Sequence, residues 1–277
     1  MSDNLARDVH DAVADSDSLV EASVRPPATT PRELEAMRRD VLRKLKLGRE
    51  MRVAELGCGI ALLGVPVAAR VAHYVGLDFA PRAVEVANDR LRTAGFDDRA
   101  EALCVDVLSV AQAELKALGR FDRVLMYGAF HYARTDAEAT CFLRRVVDLL
   151  EVGGRALIGN IPLEDLQMDW VADDRAATVL ARVIARLRWV STQGTAPIPL
   201  TRRWKALRAV ETLRNRGSVA DTFTPARLPP GFGVTITTES VERWLSTLDA
   251  SFEHHWELPA PGVPLVVGRA DLIIHRR

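Results

Sequence analysis

The chain has 277 residues, which suffices for one large α/β domain or two small ones. Its 37 basic and 37 acidic residues cancel, which argues against a surface devoted as a whole to nucleic acid. With 48% hydrophobic and 27% charged residues, the composition excludes a collagenous chain, a disordered chain and a disulfide scaffold. The 3 cysteines form no Cys-x-x-Cys pair and favour a reducing, cytoplasmic setting. The acidic N-terminus lacks the apolar run of a signal peptide, and the most apolar stretch, 60–72, is about half as long as a membrane span.

The first segment, residues 1–30, carries acids at six of its first 24 positions and predicts an acidic N-terminal arm. Two alternatives stay open for it: a solvated arm, or a short helix that closes over the site. Thr30-Pro31-Arg32-Glu33 has the form of a capping box with proline at the first helical position. We therefore expect a helix to begin there, to open the core over residues 31–162, and to end at Gly48.

Strand-like and helix-like patterns alternate through the core after this helix. The expected strands cover residues 52–56, 73–78, 102–105, 121–127 and 155–160. The expected helices lie between them, over residues 61–71, 81–93, 109–118 and 136–150. Such alternation with short connections predicts an α/β fold in which a Rossmann-like parallel sheet carries helices on both faces.

The alternation stops after Pro162, where residues 163–232 contain two amphipathic helix patterns. We interpret this segment as a helical insertion, or lid, that follows the fifth strand. Residues 233–277, with a helix over 238–248 and strands over 252–257 and 270–275, are expected to complete the core sheet.

The first strand pattern runs directly into a glycine-rich loop, Val53-Ala-Glu55-Leu-Gly57-Cys58-Gly59. Glycine allows a nucleoside ligand to approach the backbone closely. Leu62 stands where the dinucleotide-binding fingerprint has its last glycine, so NAD is a weak alternative ligand.

This loop resembles motif I of the class I S-adenosylmethionine-dependent methyltransferases, and four later segments resemble that family's motifs in the same order. They are residues 74–81 at the second strand, 104–107 at the third, 121–131 at the fourth and 149–154 before the fifth. The resemblance covers about residues 50–162 and implies the class I methyltransferase fold. One departure is Ala61, which replaces the third glycine of the usual loop.

The resemblance implies S-adenosylmethionine as the cofactor and S-adenosylhomocysteine as its product. The family's acid at the second strand end holds the ribose hydroxyls, and Asp78 takes that position, 19 residues beyond Gly59. Asp106 would receive the adenine amino group, and Glu55 would balance the cofactor's cationic amino-acid end, directly or through water. For each acid alone, the alternative is that it caps a helix or solvates a turn. The expected cofactor-binding residues are Glu55, Gly57, Cys58, Gly59, Asp78, Phe79, Asp106, Val107 and Tyr127.

His131 follows the fourth strand pattern, where members of this family often face cofactor and substrate. Imidazole titrates near neutral pH, so His131 is the candidate catalytic base; the alternative is a histidine satisfied by backbone or packing. Methyl transfer from a sulfonium needs no metal. Adjacent His254 and His255 would point to opposite faces of a strand, so we expect no metal site.

The insertion contains a local cluster of positive charge. Between Arg175 and Arg216 lie ten basic residues and one acid, Glu211, which makes nine net positive charges in a neutral chain. Three accounts stay open: a solvated helix face, a lid that attracts an anionic substrate, and a face that pairs with the acidic arm. In the third account the arm belongs to the same subunit or to its partner in a homodimer.

Several acceptor classes lose support. The fourth-strand motif continues as Met126-Tyr-Gly-Ala, without the Asn/Asp-Pro-Pro-Tyr of amide and adenine-amine methylation, and no RNA-binding module is visible. The predicted function is methyl transfer to a hydroxyl, or an amine, of a small sugar or secondary-metabolite acceptor, with an anionic acceptor as one alternative. Arg269-Ala-Asp271-Leu-Ile273 loosely resembles a segment of methyltransferases from surface-glycan and secondary-metabolite pathways. The rival hypothesis is a non-catalytic cofactor-binding partner or sensor.

Overall fold

A computed structural model describes residues 11–16, 30–165, 234–248, 251–260 and 269–277. Most of the expected insertion, including the whole basic cluster between Arg175 and Arg216, lies outside the described residues.

The described helices and strands follow the alternation that the sequence predicts. The helices are α1 (Pro31–Leu45), α2 (Gly64–Ala68), α3 (Pro81–Thr93), α4 (Gln112–Ala117), α5 (Asp136–Leu149) and α6 (Thr238–Ser246). The strands are β1 (Arg52–Leu56), β2 (His73–Asp78), β3 (Ala100–Cys104), β4 (Phe121–Tyr127), β5 (Leu150–Pro162), β6 (Phe252–Glu257) and β7 (Arg269–Arg276).

Within the described residues the strands form one sheet in the order β3-β2-β1-β4-β5-β7-β6. Strands β1 to β5 are parallel, and β7 runs antiparallel to both β5 and β6. One hydrophobic cluster packs α4, α5 and α6 on one face, and a second packs α1, α2 and α3 on the other. The predicted Rossmann-like sheet with helices on both faces is confirmed.

The capping box predicted for α1 is present. The side chain of Thr30 accepts the backbone N–H of Glu33 at 3.3 Å, and the Glu33 carboxylate accepts that of Thr30 at 2.7 Å. The predicted end at Gly48 is wrong, because the helix ends at Leu45 and Lys46 adopts the left-handed conformation, with φ of 53°.

Two other boundaries differ from the prediction for physical reasons. The expected helix over 61–71 shortens to α2, because Ala61 has a φ of 55° and cannot begin a right-handed helix. The sequence predicts that the fifth strand begins at residue 155, but residues 151–154 lie within β5, which pairs with β4 from Leu150 onward across an irregularity.

A buried ionic cluster fastens α1 to the last strand. Lys44 has a fully buried side chain, and its ammonium donates to Asp40 at 2.7 Å, to Asp271 of β7 at 2.5 Å and to the carbonyl of Leu258 at 2.9 Å. Buried charges are tolerated when they are paired and hydrogen-bonded in this way. The cluster adjoins β5, because the carboxylate of Asp271 also accepts the N–H of Asn160 near the end of that strand.

Candidate active site

The glycine-rich loop folds back over the end of β2. Gly57 and Cys58 both donate their N–H groups to the carbonyl of Leu77, at 2.7 and 3.1 Å. Gly57 has a φ of 73°, and a Cβ there would lie 2.6 Å from the Cβ of Ala129, so this position requires glycine. A Cβ on Gly59 would meet nothing within 4 Å, which leaves open space beside the loop.

Asp78 lies at the end of β2, beside this loop. It is 4% exposed, and its carboxylate accepts the N–H of Gly59 at 2.7 Å and that of Ala80 at 3.0 Å. The structure therefore brings the predicted ribose acid and the glycine loop into direct contact. Its contact with ribose stays a prediction.

Asp106 follows β3 and lies close to Asp78 in the sheet, because the N–H of Val105 bonds the carbonyl of Asp78 at 2.8 Å. The Asp106 carboxylate accepts the N–H of Leu108 at 3.0 Å and the hydroxyl of Ser109 at 2.9 Å. Asp106 therefore caps the turn that follows β3, and Val107 within this turn is buried. A capping role of this kind is the alternative to cofactor binding that we stated for each acid. This turn orients the carboxylate; its contact with adenine stays a prediction.

Glu55 is 2% exposed and accepts the hydroxyl of fully buried Tyr74 at 2.7 Å. Gly76 makes room for this pair, since a Cβ there would lie 3.0 Å from the Tyr74 oxygen and 2.8 Å from the Cys58 sulfur. Burial raises the pKa of the Cys58 thiol, and the negative charges of Asp78 and Glu55 raise it further. Cys58 is therefore a neutral packing residue of the loop.

Sequence reasoning missed Tyr74, although a signal was present. Residues 74, 76 and 78 alternate along β2, so Tyr74 shares the face of Asp78. Burial raises the pKa of the Tyr74 hydroxyl, and the charge of Glu55 raises it further, so this hydroxyl stays a proton donor to the carboxylate.

The residues that follow β4 lie at the same edge of the sheet as Asp78, because β2 and β4 are both parallel to β1. A 3-10 turn, Phe130–Tyr132, carries His131, and its Phe130 is anchored against Phe142 and Trp244 with ring centroids 6.3 and 6.1 Å away. The His131 ring lies 4.4 Å from that of Tyr132, centroid to centroid. The role of His131 as a base stays a prediction.

The Tyr132 hydroxyl interacts electrostatically with Asp78, at the end of β2, and with Arg269 of β7. Burial raises the pKa of its hydroxyl, the charge of Asp78 raises it further, and Arg269 lowers it. The ring of Tyr127, the last residue of β4, covers Gly159 of β5, a position where any Cβ would collide with it. Tyr127 is partly buried at this edge, and its contact with the cofactor stays a prediction.

The described part of the acidic arm, residues 11–16, packs beside the glycine loop. Ala14 is 2% exposed and clusters with Ile60, Ala80 and Ala83. Arg82, in the first turn of α3, donates its backbone N–H to Asp11 at 2.9 Å and its guanidinium to Asp15 at 2.9 Å. Phe79 is partly buried in the same region.

The described residues contain no group of three histidine, cysteine or acidic side chains that could hold a metal. His254 contacts Glu242 at 2.6 Å and His255 contacts Glu257 at 3.3 Å, so the two histidines have separate partners. All three cysteines are free of disulfides. In the described ranges, no helix combines the length and the apolarity that a membrane crossing requires.

Comparison with protein families and curated sequences agrees with this geometry. Residues 53–154 match the family described as "Methyltransferase domain". A curated relative, a probable non-canonical nonribosomal peptide synthetase named CymA from Salinispora arenicola, is 31% identical over 137 residues, which is 49% of this chain. The chain spans only 2% of the length of that relative.

Solved structures show the same fold at low identity. The N-methyltransferase NodS from Bradyrhizobium japonicum WM9, with S-adenosylhomocysteine, gives a TM-score of 0.50 at 15% identity, covering 90% of this chain and 89% of its own. Magnesium protoporphyrin IX methyltransferase (ChlM) from Synechocystis PCC 6803, with S-adenosylmethionine bound, gives 0.52 at 12% identity, covering 100% and 92%.

The matched segment contains β2 to β4, all of β1 except Arg52, and all the predicted cofactor-binding residues. Residues 53–154 of this chain form a class I S-adenosylmethionine-dependent methyltransferase domain.

Proposed function

We propose that this protein transfers a methyl group from S-adenosylmethionine to a hydroxyl, or an amine, of a small sugar or secondary-metabolite acceptor. The observation that carries the proposal is the contact between the Asp78 carboxylate and the N–H of Gly59, at 2.7 Å. It places a buried hydrogen-bond acceptor and a glycine loop side by side at the edge of a parallel sheet where nucleotide-like ligands bind.

The residues present fit the cofactor. Asp78 supplies an acceptor for ribose hydroxyls, Asp106 one for the adenine amine, and the open space at Gly59 allows close approach to the backbone. Glu55, held by Tyr74, supplies negative charge for the cationic amino-acid end. When bound, the cofactor would supply a methyl group on a sulfonium; in-line displacement would join that methyl to the acceptor atom and release the sulfur as the thioether of S-adenosylhomocysteine, without a metal.

The chain's own task is to orient the acceptor and to take its proton. Holding reacting atoms about 3–3.5 Å apart contributes several kcal/mol, and a positioned base about 10²–10⁴-fold. In our proposal His131 takes the proton of the acceptor group. Its place after β4, beside Tyr132, supports this role, because Tyr132 itself keeps its proton.

The finer features of the proposal rest on the sequence. The ten basic residues between Arg175 and Arg216 support an anionic acceptor, or pairing with the acidic arm within one subunit or across a homodimer. Three cysteines free of disulfides support a cytoplasmic setting.

Calorimetric titration with S-adenosylhomocysteine tests the cofactor site. We expect wild type to bind and Asp78→Ala to bind at least 30-fold more weakly, because charge-assisted hydrogen bonds are lost. The matched control is Asp89→Ala, which removes an exposed carboxylate of α3 that pairs with Arg92 at 2.8 Å. This control should bind like wild type. A folded wild type that binds no S-adenosylhomocysteine would overturn the proposal.

Turnover is then measured with methyl-labelled S-adenosylmethionine and five acceptors: glucosamine, glucuronic acid, glucose 6-phosphate, tyramine and 4-hydroxybenzoate. The five compounds differ in the group that could be methylated, a hydroxyl or an amine. They also differ in charge, which is cationic or anionic depending on the compound. Faster methylation of the anionic members supports the anionic class. Cofactor binding without transfer to any of the five favours the non-catalytic alternative.

A further inference from the structure

We infer that Asn160 belongs to the acceptor site and that its side-chain amide hydrogen-bonds the molecule that receives the methyl group. This inference rests on the proposed function, because it names a residue that would select the substrate at the same site. Asn160 lies near the carboxyl end of β5, at the edge that also carries Asp78 and His131.

The backbone of Asn160 departs from its strand. It has a φ of 63°, in the left-handed region, although β5 continues on both sides of it. The pairing of β5 with β7 shifts register between Ile158 and Ile161, so Asn160 lies in a bulge. Bulges next to active sites re-aim side chains, and strained residues persist only where their surroundings over-determine them.

Side chains of β7 hold this conformation in place. The N–H of Asn160 donates to the carboxylate of Asp271 at 2.7 Å, and its carbonyl accepts the guanidinium of Arg269 at 2.9 Å. Asp271 is 1% exposed and is paired through its other oxygen with fully buried Lys44. The buried ion pair of Lys44 and Asp271 therefore contacts the backbone of Asn160, the residue with the strained φ.

The side chain of Asn160 does not stabilise the bulge. Among the described residues its amide forms no hydrogen bond, which differs from the local backbone bonds that asparagine makes in ordinary turns. The amide nitrogen lies 3.5 Å from the point where a Cβ on Gly128 would stand. Gly128 connects β4 to the turn that carries His131, so the amide lies beside the segment that we expect to face the acceptor.

An amide offers two donors and an acceptor, which suits a hydroxyl or an amine that must be held in one orientation. It does not titrate, so Asn160 would orient the acceptor while another group takes the proton. Asn160 is therefore a specificity-determining residue, and its loss should change the KM for the acceptor more than the affinity for the cofactor.

The variant Asn160→Gly separates this role from a structural one. Glycine adopts the left-handed conformation without strain, so both backbone bonds to β7 are kept while the amide is removed. The second variant, Asn160→Asp, keeps the shape and replaces the amide donors by a carboxylate. The probe acceptor is whichever of the five compounds named above wild type methylates fastest.

We expect Asn160→Gly to lose at least 10-fold in kcat/KM for the acceptor, chiefly through KM. Its Kd for S-adenosylhomocysteine should stay within 2-fold of wild type and its Tm should not fall. Asn160→Asp should lose a similar factor in kcat/KM if the methylated compound presents an oxygen that accepts a hydrogen bond from the Asn160 amide. A kcat/KM of Asn160→Gly within 2-fold of wild type would overturn the inference and leave the proposed function standing. If wild type binds S-adenosylhomocysteine but methylates none of the five, the proposed transfer fails and this inference with it.

Discussion

Asp78 and Asn160 lie at the same edge of one sheet, yet different parts of the chain hold them. Asp78 accepts the N–H of Gly59, 19 residues earlier in the sequence, and that of Ala80, 2 residues later. Asn160 is held by Asp271, 111 residues away, and Asp271 is paired with Lys44, 227 residues from it in sequence. We call the ends of β1 to β3 with their loops the cofactor half, and the ends of β4, β5 and β7 the acceptor half.

The cofactor half lies wholly within the residues that match the methyltransferase domain, 53–154, whereas the acceptor half depends on α1 and β7 outside them. In our proposal, this division separates most of the residues expected to bind the cofactor from those expected to orient the acceptor. It also makes a testable claim: damage to the ionic cluster behind Asn160 should leave cofactor binding largely intact.

The largest effect is expected from Lys44→Met, which leaves Asp271 buried without its cation and Asp40 with Arg43 as its remaining charged partner. Breaking a buried ion pair in this way costs about 3–5 kcal/mol of unfolding free energy, to be measured by urea denaturation at pH 7. The matched control, Lys116→Met, removes an exposed lysine from α4 and should change little. If the folded variant bound S-adenosylhomocysteine more than about 10-fold more weakly, the two halves would not be independent.

The same variant has an expected pH dependence. Burial raises the pKa of Asp271, and Lys44 opposes that rise. A carboxyl group with a raised pKa loses its contribution to stability as pH rises through that pKa. Without Lys44 the pKa of Asp271 rises further. The loss of unfolding free energy in Lys44→Met, relative to wild type, should therefore be largest at pH 7 and shrink toward pH 4. A deficit that does not vary with pH would contradict this account of the cluster.

A moderate effect on cofactor binding is expected from Arg82→Ala. Arg82 binds Asp11 through its backbone and Asp15 through its side chain, which keeps residues 11–16 beside Ile60 and Ala80. We expect the Kd for S-adenosylhomocysteine to rise by about 3-fold, with almost no change in Tm because exposed ion pairs contribute little. Arg92→Ala, which breaks a pair within α3, is the control. Equal affinities in both variants would show that residues 11–16 do not contribute to cofactor binding.

The smallest effect is expected from Ala61→Gly. Relief of left-handed strain, about 1–2 kcal/mol, offsets the lost burial of one methyl group, about 0.8 kcal/mol, and the greater freedom of unfolded glycine. The free energy of unfolding should change by less than about 0.5 kcal/mol. The control is Ala54→Gly, which removes an equally buried methyl from extended β1 and should cost about 1.5 kcal/mol. Equal losses in both variants would show that the φ of Ala61 stores no strain.

How far sequence reasoning reached differs between the two halves. The glycine loop, Asp78 and Asp106 were predictable because each lies a few residues from the end of a strand that alternation reveals. The shortened α2 was missed because the left-handed φ of Ala61 depends on the loop packed around it. Asn160 was visible only as the last residue of an expected strand, since nothing local marks a bulge there.

The sequence alone determined the order of strands and helices, the parallel sheet and the location of the glycine loop. Those features follow from hydrophobic periodicity, capping and turn residues, which act over a few positions. Only the tertiary structure decided that Lys44, Asp271 and Asn160 meet behind one edge of the sheet. A lysine and an aspartate 227 residues apart carry no local signal of their pairing, because the burial that joins them exists only once α1 and β7 have packed against β5.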